Sequence, residues 1–220
     1  MACSPGVDNH FTHLEIKPLT PDQLPQVLTL DHLCFGGLWT EPGYQREIVS
    51  PNSALLVLEA SRAAFSHNNQ RFQSVSSEVT PPLSIGDTAA IIGVGCVWFV
   101  LEEAHITILG IDPRYRQQGL GTLLLMTLLN VAVHRGSAWA TLEVRQSNSI
   151  AQALYKQIGF TVIGQRKHYY PDTKENALVF WHQGLQEPSF AENLAHREQL
   201  VCERIKALGW ILQPFSLASL

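Results

Sequence analysis

No apolar run in this 220-residue chain is long enough to cross a membrane as a helix. The nearest, Ala89 to Leu101, falls short of the roughly 18 residues such a span needs. It is rich in Val, Ile, Trp and Phe and reads as a buried strand. Cysteine is scarce: Cys3, Cys34, Cys96 and Cys202 lie far apart with no CxxC pair. That spacing argues against a disulfide framework or a cysteine zinc site and reads as reduced thiols of a cytoplasmic protein. Basic charge is in deficit. The formal net charge of −4 leaves no global footprint for nucleic acid. An acidic surface does tolerate a basic protein substrate. MACSPGVDNH lacks the charged region and apolar core of a secretory signal. The nine histidines have no metal-ligand spacing, so no metal is expected.

What is present is patterned. LEIKPL (Leu14 to Leu19) reads as a first strand. Thr20 then stands as an N-cap, with Pro21 and Asp22 in the first turn of a helix that Gly36 and Gly37 end. GLWTEPGYQREIVS resumes as a short helix, and Ser53 to Ala60 as an apolar strand. A polar stretch of about 61–88, carrying Pro81-Pro82, reads as a long loop insertion. Two strands follow, the second running from Ala104 to Asp112 and stopped by Pro113. TLLLMTLLNVAVH has almost no polar face, hence a buried helix. ATLEV is a strand, SIAQALYKQIG a helix closed by Gly159, and FTVIGQRKHYY and ALVFWHQ the last two strands of the domain. Mixed strands and helices predict one layered α/β sheet of about seven strands. Residues 1–185 read as one domain. Residues 186–220 read as a helical C-terminal extension packed on it, with apolar Phe190, Leu194, Val201, Ile205 and Leu208.

The most informative stretch is RQQGLGTLLL, Arg116 to Leu125, where two glycines precede a long apolar run. A helix start has unpaired N–H groups and about half a positive charge, so phosphates bind there. A phosphate must come close to the backbone, and glycine removes the β-carbon that would block it. Arg116, Gln117, Gln118, Gly119, Leu120 and Gly121 can therefore cradle a pyrophosphate. No Gly-Lys-Ser/Thr follows, which excludes a P-loop, and no third glycine stands at the dinucleotide spacing. Taken alone, the pair fits a plain turn into a buried helix equally well.

The surroundings break that tie. ILGIDPRYRQQGLGTLLL resembles the GNAT superfamily of acyl-CoA-dependent N-acyltransferases, whose pyrophosphate motif has the form Arg/Gln-x-x-Gly-x-Gly/Ala after a strand and at the opening of a helix. LEVRQSNSIAQALYKQIGF, followed by RKHYYP, closely resembles the ribosomal-protein-alanine N-acetyltransferases, and FGGLWTEPGY is similar to their segment after the first helix. The resemblance runs from Leu14 to Leu185. It implies a GNAT fold with a mixed, mostly antiparallel central sheet, acetyl-CoA as co-substrate and no metal. It further implies that backbone groups of Leu109, Gly110 and Ile111 serve the pantetheine arm and the oxyanion.

Amide formation from a thioester needs a neutral amine, a stabilised oxyanion and a protonated or solvated leaving thiol. Near neutral pH an α-amine loses its proton for about 1 kcal/mol or less, a lysine for about 4. A modest base suffices for the former. In ATLEV, Glu143 faces away from Leu142, and the resemblance puts the base there, directly or through water. Its plain reading is a solvated strand charge. Glu102 and Glu103 are rivals. Tyr155 follows Asn148 by two helical turns on nearly one stripe and is the expected acid, or the hydrogen-bond donor to the departing sulfur. Asn148 is a natural N-cap, and the resemblance adds a cofactor contact. Trp39, Tyr169 and Tyr170 are expected on the peptide side, with sheet packing as the plain alternative. His105 could touch substrate. No cysteine is expected at the centre, which favours direct transfer in a ternary complex over an acyl-enzyme.

These residues lead to an acetyl-CoA-dependent enzyme that acetylates a protein N-terminus, with a ribosomal protein as one candidate acceptor. No nucleic-acid or membrane partner is expected, and the protein is expected to be a monomer or homodimer. Two alternatives keep parts of the pattern. One changes the acceptor to a lysine or a small-molecule amine. The other is a non-catalytic acyl-CoA-binding module, which needs the glycines but neither Glu143 nor Tyr155.

Overall fold

A computed structural model describes residues 12–62 and 89–217. The expected polar loop falls almost wholly outside them. Strands β1 (His13–Pro18), β2 (Ser53–Ser61), β3 (Ala89–Val100), β4 (Glu103–Ile111), β5 (Trp139–Arg145), β6 (Thr161–Tyr170), β7 (Glu175–Gln183) and β8 (Ile211–Leu212) form one sheet. Their spatial order is β6-β7-β5-β4-β3-β2-β1-β8. Only β4/β5 and β1/β8 pair in parallel. The short β8, from the C-terminal extension, raises the strand count to eight.

Helices cover both faces. On one side α1 (Leu24–Phe35) and α2 (Glu41–Val49) bury Val27, Leu30 and Tyr44 against Leu55, Val57 and Val94. On the other, α3 (Leu120–His134), α4 (Ser149–Ile158) and α5 (Pro188–Ala207) share a second core with Leu56, Leu58 and Ile92. Alternation along β2 feeds the two cores in turn, as the period-two pattern of a strand requires. α3 lies between the sheet and α5, which explains its lack of a polar face. In α5, Phe190, Leu194 and Ile205 are buried, whereas Leu208 lies past the helix end and is exposed. No helix among the described residues is long and apolar enough to cross a membrane.

Two local features set up the site. The first is a bulge in β4. Cys96 of β3 pairs with Ile108 and Val97 with Ile106, so Thr107 is an extra residue. Ile106 and Ile108 would share a face in a regular strand. Here Ile106 joins the core under α3 and Ile108 the core under α1. One inserted residue has turned the strand over. The second is the parting of β4 from β5. They pair from Glu103/Trp139 to Ile106/Leu142 and no further, although both strands continue.

The loop after α1 is held by a buried carboxylate. Gly36 takes the left-handed conformation that ends the helix (φ 75°). Asp31, fully buried, then accepts hydrogen bonds from the Leu38 N–H (2.6 Å), the Trp39 N–H (3.3 Å) and the Tyr44 hydroxyl (2.8 Å). Replacing Asp31 by Ala strands these donors. Chemical denaturation should show a loss of roughly 2–4 kcal/mol; a loss under about 0.5 kcal/mol, typical of a surface change, would contradict this account of the loop.

Candidate active site

Beyond Ile106 and Leu142 the diverging strands open a groove of about 800 Å³. Its floor is the end of β4, from Ile106 to Ile111, and its far wall is Leu142 to Arg145 of β5. The β4 edge facing β5 has no sheet partner along this stretch. Buried backbone groups are rarely left unpaired, so such an edge suits a ligand that brings its own amides. Leu109, Gly110 and Ile111 all line the groove. A β-carbon on Gly110 would stand 2.5 Å from the Phe35 ring, so glycine is what lets the end of α1 close over β4.

The loop between β4 and α3 forms one end. Asp112 caps its first turn and holds Arg114 through both carboxylate oxygens, the shortest contact being 2.6 Å. Arg114 and burial act in opposite senses on Asp112, and its carboxyl sits below the usual range. Arg116 Nε donates to the Ile111 carbonyl (2.9 Å) and tethers the loop to the strand end. Gly119 is the N-cap of α3 with φ 90°, a value that favours glycine. Gly121 serves differently. A β-carbon there would make only ordinary contact, 3.6 Å from Ile111 and Leu154, both of which line the groove. The space beside Gly121 therefore belongs to the groove, and these residues fit a close-lying diphosphate. Arg116, Gln117, Gly119, Leu120 and Gly121 all line it. Gln118 does not: its side chain accepts a hydrogen bond from Trp210 Nε1 (2.8 Å).

Glu143 lies on the far wall with its side chain 7% exposed. His105 Nε2 is 2.7 Å from Oε2, and Arg166 donates to Oε1 at 2.8 Å. The hydrogen bond from His105, opposed by burial and reinforced by the charges of His105 and Arg166, holds the carboxyl below the usual range. Glu143 is thus a carboxylate at neutral pH, and His105 Nε2 is the donor between them. Glu102 and Glu103 precede the groove. Glu103, at the start of β4, accepts a hydrogen bond from the Thr141 hydroxyl.

Tyr155 lines the groove from α4 and packs edge-on against Phe160 and at a tilt against Phe180. Its hydroxyl has no partner among the described residues. Burial pushes its pKa upward. Asn148 caps α4, accepting from the Ala151 N–H (3.1 Å), and also lines the groove.

The expected peptide-side aromatics separate. Tyr170 lines the groove under the Arg145 guanidinium, 3.9 Å from the ring centre. Tyr169 is exposed, edge-on to Tyr170, and outside the groove. Trp39 is also outside. It stacks on Trp98 (6.3 Å), which meets the His105 ring edge-on (6.3 Å). A file of rings thus runs from the Asp31 loop to Glu143. A cysteine also lines the groove: Cys34, next to Gly110. Burial pushes its thiol up, the opposite of an activated nucleophile.

Sequence reasoning had passed over Arg166. It reaches Glu143 from two strands away, and only the β5–β7–β6 register, with Val179 between Glu143 and Gly164, brings them together.

Residues 24–160 match the model of the Acetyltransferase (GNAT) family. A Bacillus subtilis (strain 168) protein, provisionally named a ribosomal protein bS18-alanine N-acetyltransferase, is 28% identical over 77% of this chain and 95% of its own length. The ribosomal protein bS18-alanine N-acetyltransferase of Escherichia coli (strain K12) is 34% identical over 56% of this chain and 84% of its own. The crystal structure of the ribosomal-protein-S18-alanine N-acetyltransferase from Escherichia coli superposes with a TM-score of 0.58 at 26% identity, over 77% of this chain and 93% of that one.

The depressed Glu143 carboxyl has a consequence for stability. Its contribution is complete above the unfolded-state value of about 4.3 and is lost as pH falls through the lower folded-state value. Glu143→Gln should therefore be less stable than the parent at pH 7, by about 1–3 kcal/mol. Urea melts at a series of pH values should show the gap closing below about pH 4. A gap that keeps its full size in acid would contradict the assigned ion pairs.

Proposed function

The chain belongs to the acetyltransferase (GNAT) family, and on that premise we propose that it moves an acetyl group from acetyl-CoA to the N-terminal α-amino group of a protein. The observation that carries the reading is the parted pair of strands, with a glycine-rich helix start at one end of the gap and Glu143 and Tyr155 on its walls. The names of the bacterial relatives support an N-terminal alanine as the acceptor and a ribosomal protein as the substrate class.

The residues divide the work. Acetyl-CoA supplies a thioester open to attack by a neutral amine. The amides of 116–121 and the positive end of α3 would hold its diphosphate. The free edge of β4 at Leu109 to Ile111 would pair with its pantetheine amides, and an N–H there would receive the charge developing on the carbonyl oxygen.

Glu143 would attract the incoming amine and take its proton, directly or through water. Its depressed pKa makes it a weak base. An α-amine near pKa 8 asks little of a base, whereas a lysine asks about 3 kcal/mol more. A site built around a carboxylate held by the Arg166 guanidinium and a hydrogen bond from His105 therefore favours the α-amine. Tyr155 would donate a hydrogen bond to the departing sulfur. Full proton transfer from a free tyrosine to a thiolate is already uphill by about 2 kcal/mol, and burial makes it steeper.

Purified protein, acetyl-CoA and a peptide with N-terminal alanine and an internal lysine should yield a product acetylated on the α-amine, read by mass spectrometry. Acetylation confined to the lysine would overturn the acceptor, and no turnover with any amine would favour a binding module. Glu143→Gln should lower kcat roughly 100-fold or more, and Tyr155→Phe roughly 10–100-fold. Tyr155→Phe keeps the ring packing and should leave the melting temperature unchanged. Undiminished turnover in both variants would remove their assigned roles.

A further inference from the structure

The C-terminal helix does more than cover α3. The helix and Trp210, just past its end, grip the loop that precedes α3 at three consecutive residues. Arg204 Nη2 donates to the Gln117 carbonyl (2.7 Å), Trp210 Nε1 donates to the Gln118 side chain (2.8 Å), and a β-carbon on Gly119 would stand 3.5 Å from Val201 and 3.7 Å from Ile205. Tyr115, at the start of the same loop, packs at a tilt against the Trp210 ring (6.1 Å). Arg204 also lines the groove, beside Gln117, Gly119 and Gly121.

The three arginines around this loop are not equivalent. Arg114 is neutralised by its fork on Asp112. Arg116 spends its Nε on the Ile111 carbonyl. Arg204 makes one bond, to a neutral carbonyl, and pairs with no carboxylate among the described residues. A guanidinium has five N–H donors in a rigid plane, so the bond to Gln117 fixes its position and leaves four free. A cation in the last turn of a helix also offsets the helix dipole, but Lys206 in the same turn meets that need. Neither dipole nor packing requires Arg204 to reach the loop that the diphosphate would occupy.

We propose that Arg204 is a ligand of the acyl-CoA diphosphate, so that the C-terminal helix completes the cofactor site from outside the family's core. This rests on the acyl-CoA reading given above. The negative diphosphate would bridge α5 to the start of α3. Charge-assisted, two-pronged contact of this kind is the strong form of hydrogen bond to phosphate.

Calorimetric titration of the full chain tests it. Arg204→Gln should weaken acetyl-CoA binding about ten-fold. It should raise KM for acetyl-CoA without lowering kcat at saturation. Arg197→Gln, the same charge change on the exposed part of α5, should bind as the parent does. The dependence of affinity on salt should be shallower for Arg204→Gln than for the parent, which a purely structural loop contact would not produce. The penalty should be the same with 3′-dephospho-acetyl-CoA. If Arg204→Gln unfolds, Arg204→Lys replaces it, keeping the charge and losing the fork, with an intermediate penalty. Equal affinity of Arg204→Gln and parent would overturn the proposal. So would a penalty that vanishes without the 3′-phosphate, since the arginine would then hold that group. Failure of the parent itself to bind acetyl-CoA would sink the acyl-CoA reading, and is told apart because it needs no variant.

Discussion

The site depends on β4 and β5 letting go of each other. A parallel pair held together to its end would satisfy its own backbone and leave no room between its strands. Here the pairing stops at Ile106 and Leu142, and the next residue of β4, Thr107, is the extra residue of the bulge on its other side. The bulge turns the strand over, so Ile108 feeds the opposite core from Ile106. The far end of β4 is thus anchored to β3 on one edge and bare on the other. That bare edge has a cost that only a ligand or water can offset. Close approach of α1 at Gly110 and the left-handed turn at Gly119 frame the opening from two sides.

Electrostatics then give the gap a direction. One end is positive: the start of α3, with Arg116 and Arg204 beside it. The other holds a carboxylate kept ionised by His105 and Arg166. On the proposed reading, a molecule with phosphates at one end and an acyl thioester at the other would lie along the groove with its phosphates toward α3. On that reading, an amine approaching from the His105–Trp98–Trp39 side would meet Glu143 first. On the same reading, a carboxylate with a lowered pKa would attract and orient a cation more than pull protons, which suits an acceptor already close to neutrality.

Much of this was legible in the chain. Period-two alternation in ATLEV set Glu143 apart from Leu142 and Val144, and the apolar helix after Gly121 announced its burial. The element order and the helix cap at Asn148 also followed from local chemistry. What was not legible depended on register. Arg166 sits two strands from Glu143, and no spacing along the chain brings them together. His105 was visible as a strand residue, but its partner was not. Cys34 is far in sequence from the β4 end, and the packing of α1 on Gly110 brings it to the groove. The partner of the Gln118 side chain was not legible either: it is Trp210, 92 positions later.

The central claim is that one ligand bridges two backbone surfaces, the bare edge of β4 and the start of α3. Amide hydrogen exchange with and without saturating acetyl-CoA reads both at once. The account predicts slowed exchange at residues 107–111 and 116–121 together, with β1 and β2 unchanged. Exchange at both segments that is indifferent to acetyl-CoA, while the coenzyme demonstrably binds elsewhere, would contradict it.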